Sequence, residues 1–340
     1  MNRDSLAGAA LCSFGMMILG GSVSLSRLVL DYPILTGQAM RYALAALLLA
    51  ALLRLFPRLG GASSAGGHEP VPPPVTRLGR PVRASRGIRP DGREWVLLGG
   101  VALLGLALFN TLLLTALEHA DAAVVGTVVG AAPLGLALAG PLLRAQRPAA
   151  RLVTAAVTVV AGTALVHGAG SADPVGLAAA VGTLVCEVSF SLLAAAVLPR
   201  LGAVRVSAYS CALAVPMLLV AGLAAGEWGR LRVPTATEAL TLLYLAVMMT
   251  VVAFLAWFTG LRLLGVERAG MFAGLVPAAT LAAAALQDQA VPGLTQTAGV
   301  LVVVAGLVLG ATGGTRRADR PEPTGPAFVP TGAPAPGPSS

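Results

Sequence analysis

The segment GTVVGAAP at residues 126 to 133 returns as GMFAGLVP at 270 to 277, both glycines and the proline kept at an offset of 144. The same offset places Glu94 on Glu238, Thr115 on Thr259, Pro148 on Pro292 and Gly162 on Gly306. Glycine and proline matches at one spacing over some 70 residues mark a duplicated unit. Both copies lie in apolar sequence. A membrane-crossing helix needs about 20 mainly apolar residues. Charges, prolines and glycine-rich turns divide the chain into ten such stretches, at 6–26, 34–53, 95–116, 122–142, 150–168, 175–198, 206–226, 238–261, 268–287 and 295–313. Five per copy is an odd number of crossings, so the second copy starts on the opposite side of the membrane. The fold expected is an all-α integral membrane protein, ten transmembrane helices arranged as two inverted five-helix repeats at 6–168 and 175–313. Secondary transporters are built this way, with the substrate site near the midplane between the halves.

The first two stretches of each half align less closely. An offset of 174 pairs Gly8 with Gly182 and Cys12 with Cys186, and makes Ser13 and Glu187 equivalent.

Composition agrees with a bilayer. Of 340 residues, 56% are hydrophobic, 41 are glycine and only 11% are charged, where a soluble domain carries about a quarter. All 23 basic residues are arginine, and 15 acids leave a net charge of +8. That sign alone could suggest nucleic acid, but the distribution points elsewhere. With the N-terminus inside, nineteen arginines fall in cytoplasmic segments and only Arg27, Arg230 and Arg232 in external ones, while the acids split evenly. This is the positive-inside pattern. It places both termini in the cytoplasm and the chain in the cytoplasmic membrane. The first stretch ends in no convincing A-x-A site and nine more come after it, so it reads as a retained span and not a cleaved signal.

Residues 57–93, rich in proline, glycine and arginine, and the tail 315–340 lack apolar periodicity and are expected to be disordered. In the first, Arg77, Arg80, Arg83, Arg86 and Arg89 recur every third residue. The stripe reads as a solvated linker that fixes orientation, or as a contact for anionic lipid headgroups. Cys12, Cys186 and Cys211 sit in apolar runs without pairing motifs, and His68, His119 and His167 are scattered, so no metal site, cofactor or catalytic group is expected.

The five-plus-five layout, the Arg41-Tyr42 pair opening an alanine and leucine-rich second span, the proline in the fourth span and the glycine late in the fifth resemble the drug/metabolite transporter superfamily, EamA type. The resemblance covers residues 6 to 313 apart from the 57–93 insertion. Two departures stand out: Phe14-Gly15 replaces the tryptophan-glycine usual in the first helix, and the acid after the fourth and ninth spans appears only as Asp288, with Arg144 at the matching place. The resemblance implies transport of small metabolites or drugs, usually export, by alternating access and without ATP. No GxxxxGK[ST] loop occurs.

Ionisable groups in hydrocarbon are costly and mark functional candidates. Glu187, near the middle of the sixth span with Cys186, Ser189 and Ser191 beside it, suits the binding of a proton or a cationic group, or a structural pairing with an arginine. The related small multidrug resistance proteins carry a glutamate in their first helix, and Glu187 is in the first helix of the second half. Arg41 reads as a packing or pairing partner, and as the one intramembrane cation for a substrate carboxylate. Asn110, Gln38 and Ser13 read as interhelical hydrogen-bonding groups or pocket residues. Gly126 with Gly130 and Gly270 with Gly274 are GxxxG spacings that clear a helix face. Pro133 and Pro277 come three residues later and free a carbonyl one turn back, which fits paired hinges or close packing alone. Trp95 and Trp228 are expected at the interface, and Trp257 in lipid or core.

The function expected is a secondary transporter, an exporter with membrane lipids around it and proton coupling open to it. The alternative is a non-transporting scaffold or lipid-handling membrane protein. An intramembrane enzyme would need several polar groups converging at one depth, which the spans do not supply.

Overall fold

Hydrocarbon offers no partner to backbone N–H and C=O groups, so a chain this apolar must close its hydrogen bonds within helices. A computed structural model describes residues 3–29, 31–56, 89–143, 145–288 and 293–311, and among them contains helices and one isolated bridge, Ala120 to Ala172. Most of the insertion (57–88), the tail (312–340) and Arg144 lie outside the described residues, as does the side chain of Asp288.

The helices are α1 (Arg3–Ser26), α2 (Ile34–Leu55), α3 (Gly92–His119), α4 (Ala122–Leu143), α5 (Ala150–His167), α6 (174–201), α7 (203–224), α8 (Ala236–Leu264), α9 (266–288) and α10 (Leu294–Ala311). Among the described residues, seven continuous stretches are long and apolar enough to cross a membrane. One of them, Pro174–Ala224, is α6 and α7 joined without a loop. It turns at Gly202, whose φ of 75° is open to glycine and strained for other residues.

Local chemistry repeats along the chain. Asp91 caps α3 by accepting from Glu94 N at 2.8 Å, while Glu94 accepts from Asp91 N at 3.0 Å. Thr235 and Glu238 form the same reciprocal box at the start of α8. Inside these two helices lie π-helical segments, Leu103–Leu108 and Leu245–Val252. Side chains take up carbonyls there: Asn110 donates to the Leu106 carbonyl, and Thr250 Oγ1 to that of Leu245 at 3.1 Å. The regular ladder of α4 breaks at Gly130–Ala131, and α9 has a 3₁₀ turn at Phe272–Gly274. Each break lies just before Pro133 or Pro277, where the ring removes the N–H that the previous turn needs.

Lipid tails are as apolar as leucine, so helices in a bilayer associate through close packing at small residues. The glycines mark these seams. A Cβ on Gly126 or Gly130 would run into His167 or Thr163 of α5, and one on Gly270 or Gly274 into Leu136 of α4 or Val159 of α5. A Cβ on Gly162 of α5 would lie 2.7 Å from the Gly299 carbonyl of α10, and one on Gly299 would lie 2.7 Å from the Gly162 carbonyl. Phe190, Phe254 and Phe258 stack at 5.5 to 6.1 Å in the main core, and Trp257 is buried beside them. Trp95 and Trp228 are exposed near helix ends. Large apolar side chains such as Leu47, Val220, Leu240 and Leu286 cover the outside, as a lipid-facing surface requires.

These seams correct one alignment. Gly8 of α1 meets Leu263 and Leu264, and Gly176 of α6 meets His119 and Ala120, positions that are 144 apart. Gly20 meets Ala279 and Val188 meets Gly135, again 144 apart. Equivalent contacts on α1 and α6 thus stand 168 apart and not 174, so Gly8 answers to Gly176 and Glu187 answers to Leu19 and not Ser13. A six-residue slip rotates a helix by about 240°, enough to exchange its faces.

Candidate substrate site

α2 begins where a buried carboxylate waits for it. Glu227, in the turn after α7, accepts from Leu35 N at 2.9 Å, Thr36 N at 2.8 Å and Thr36 Oγ1 at 2.8 Å. It satisfies donors that every helix start leaves open, and its charge faces the positive end of the helix dipole. Glu227→Ala is expected to leave two backbone donors unmatched at about 1–3 kcal/mol each. Hydrogen exchange at residues 34–37 should accelerate and the melting temperature fall; unchanged exchange would deny Glu227 this role.

About two turns into α2 is Arg41, only 6% exposed. Its Nη2 donates to the Tyr42 hydroxyl, its Nη1 contacts Met249 Sδ of α8 at 3.2 Å, and its guanidinium carbon lies 4.5 Å from the centre of the Tyr42 ring. Asn110 of α3 donates to the same Tyr42 hydroxyl at 3.4 Å. Among the described residues Arg41 Nε has no partner, and neither has Gln38 Oε1 one turn back. Both residues line a cavity of about 80 Å³ with Ser26, Tyr32, Leu242 and Leu245. The structure therefore gathers three sequence candidates, Arg41, Asn110 and Gln38, around Tyr42. It also adds Tyr32 and Met249, which sequence reading missed because nothing local distinguishes them.

Glu187 stands apart from this cluster. Among the described residues no hydrogen bond or ion pair reaches it, so the pairing with Arg41 considered from sequence is not made. It lies between Val188, which packs on Gly135 of α4, and Phe190, which packs on Gly105 of α3 and on Phe254 and Phe258 of α8. Thr183 and Ser191, one turn to either side, are fully buried, and Ser191 Oγ has no partner among the described residues. Ser13 makes no hydrogen bond among the described residues and does not line the cavity.

The helix connections are tied by charge. His119 Nδ1 and Asp173 Oδ2 are 2.9 Å apart, and Asp121 accepts from Ser171 N at 2.8 Å and Ser171 Oγ at 3.0 Å. Backbone donors hold both aspartates below the usual value of 3.8: Ser171 N for Asp121, and Gly176 N, with His119 added, for Asp173. Arg200 pairs with Glu94 at 2.8 Å, and Arg232 holds Glu238 through both oxygens. Among the described residues, no group of three metal-ligating side chains occurs.

The family described as "EamA-like transporter family" matches residues 81–168 and 174–312. One solved structure, described only as "Crystal structure of protein", is similar at TM-score 0.67 and 18% identity, covering 91% of this chain and 96% of its own. That likeness concerns the fold. No curated protein matches.

Proposed function

The chain belongs to the EamA-like transporter family, and from that premise we propose that it is a secondary active transporter exporting small metabolites or drugs across the cytoplasmic membrane by alternating access. Membership makes it a multi-pass membrane transporter of small molecules, in a family of transporters and not enzymes. The finer reading has ten spans in two inverted five-helix repeats, both termini in the cytoplasm, and a substrate path between the halves.

What carries this reading is the doubled architecture. The capping glutamate and the proline break recur at a spacing of 144, a π-helical segment overlaps the matching place in each copy, and α1 seats on α8 and α9 as α6 seats on α3 and α4. Two like units in opposite orientation can rock about a shared seam and open a central site to each side in turn. Paired breaks before Pro133 and Pro277 supply hinges at matching depth. Glu187 on α6, unpaired among the described residues, is the group that would take a proton or a cationic part of the substrate.

Counterflow in proteoliposomes with labelled amino acids, amines and nucleobases tests the reading. Saturable exchange of at least one solute is expected without ATP. If none exchanges, and growth media of cells with and without the protein match in metabolites, the transport reading fails and the scaffold reading replaces it.

A further inference from the structure

The surroundings of Arg41 are not those of a structural arginine. A guanidinium carries five N–H donors in a rigid fork and no acceptor, and burying it without a counter-charge is costly. Among the described residues its partners are a thioether and a phenol, both neutral, and Nε–H meets no acceptor. Acids at this end of the helices are engaged elsewhere. Glu227 caps α2, Glu238 holds Arg232, and Asp31 is exposed and acts on Arg232 as well.

The cavity beside Arg41 has polar walls at one end. Gln38, three residues back on the same helix face, brings an amide whose oxygen lacks a partner. A half-turn of that amide exchanges its oxygen and nitrogen, so it can donate to an oxyanion. Arg41 is the one charged residue in the lining among the described residues. A single cation matches a single negative charge. A volume of about 80 Å³ holds several waters, since one needs about 10–15 Å³ of such space, and leaves room for a small carboxylate. Leu242 and Leu245 of α8 also line the cavity and offer apolar contact to the carbons of such a ligand.

We propose that this cavity binds the carboxylate of a small monoanionic substrate, held by the Arg41 fork with the Gln38 amide as second donor. The site rests on the transporter reading for its purpose and specifies the chemical class carried. Its partners place it where movement can be felt. Leu245 and Met249 belong to the π-helical segment of α8, and Tyr42 is bonded to Asn110, which closes that of α3. Such segments interrupt the regular helical ladder and are frequent at functional sites. Neutralising the guanidinium would then bias both helices at once.

The test uses the full chain in phosphatidylcholine nanodiscs, with propionate as probe and propionamide as its neutral twin, read by calorimetry and thermal unfolding. Propionate should bind saturably and propionamide should not. Arg41→Met should weaken propionate about tenfold or more, the loss expected for a charge-assisted pair. Gln38→Leu, which keeps the guanidinium, should weaken it several-fold and decides the matter should Arg41→Met fail to fold. Equal response to the two probes overturns the site, as does wild-type affinity in Gln38→Leu together with either wild-type affinity or no folding in Arg41→Met. Tighter binding of inorganic phosphate than of propionate overturns the carboxylate assignment. Propionate binding that obeys these rules in a protein giving no counterflow of any solute would keep the site and remove the transporter reading. Counterflow indifferent to Arg41→Met removes the site alone.

Discussion

Proteoliposomes carrying Glu187→Gln are expected to lose about tenfold or more of their substrate flux, and the remaining flux should no longer vary with pH. The substitution keeps the shape of the side chain and removes both its charge and its proton. A tenfold loss corresponds to about 1.4 kcal/mol of barrier, which one charge-assisted contact readily supplies. The side chain is suited to such a role because no described group pairs with it, while Phe190 and Val188 at its flanks are fixed against α3, α4 and α8. A purely structural acid would behave otherwise. Its loss would lower the yield of folded protein and leave the pH profile of the surviving fraction intact. Wild-type flux with a wild-type pH profile would remove Glu187 from the mechanism, while Glu187→Asp should restore part of the pH dependence.

The larger effect on stability is expected at the seam between α5 and α10. In Gly162→Val the new Cβ would sit 2.7 Å from both the Gly299 carbonyl oxygen and the Val303 nitrogen. These are backbone atoms, which cannot swing aside as a side chain can, so the two helices must separate. Overpacking of a well-filled core costs about 1–3 kcal/mol, and backbone-on-backbone contact belongs at the upper end. A lower melting temperature in detergent and loss of the monodisperse species would report it. Gly99→Ala is the control. Nothing lies within 4 Å of its added Cβ, and removing a helical glycine should change stability by no more than about 1 kcal/mol, in the stabilising direction. If Gly162→Val melts with wild type, α5 and α10 do not meet as described. Because Gly162 and Gly306 occupy matching places in the two copies, the seam is also where motion between halves would pivot. A partly folded Gly162→Val should therefore lose flux beyond its loss of folded protein.

Some of this was legible in the chain and some was not. Helix positions follow from apolar runs bounded by charges, prolines and glycine-rich turns, features that act over a few neighbouring residues, while the caps at Asp91, Asp173 and Thr235 came from the structure. The breaks before Pro133 and Pro277 were equally plain, since a missing N–H acts one turn away. The match of α1 to α6 was misread by six residues, because identical glycines and cysteines recur at several spacings in a sequence so rich in small residues. The Glu227 cap on α2 could not be read at all: 192 residues separate donor and acceptor.

By itself, then, the sequence determined a helical membrane chain, and it supplied the expectation of a duplicated plan, of an orientation set by arginine, and of a short roster of polar groups at membrane depth. These are consequences of hydrocarbon thickness and backbone hydrogen bonding, which operate on contiguous residues. Only the tertiary structure decided which of those groups meet. It joined Arg41 to Tyr42, Asn110 and Met249 beside a cavity, gave Glu187 no partner among the described residues, and kept Ser13 out of the cavity lining. The physical reason is rotation about the helix axis. Helices apolar on every side do not announce which face turns inward, and in a bilayer that choice is made by close packing at Gly8, Gly20, Gly162 and Gly299, between residues far apart in the chain.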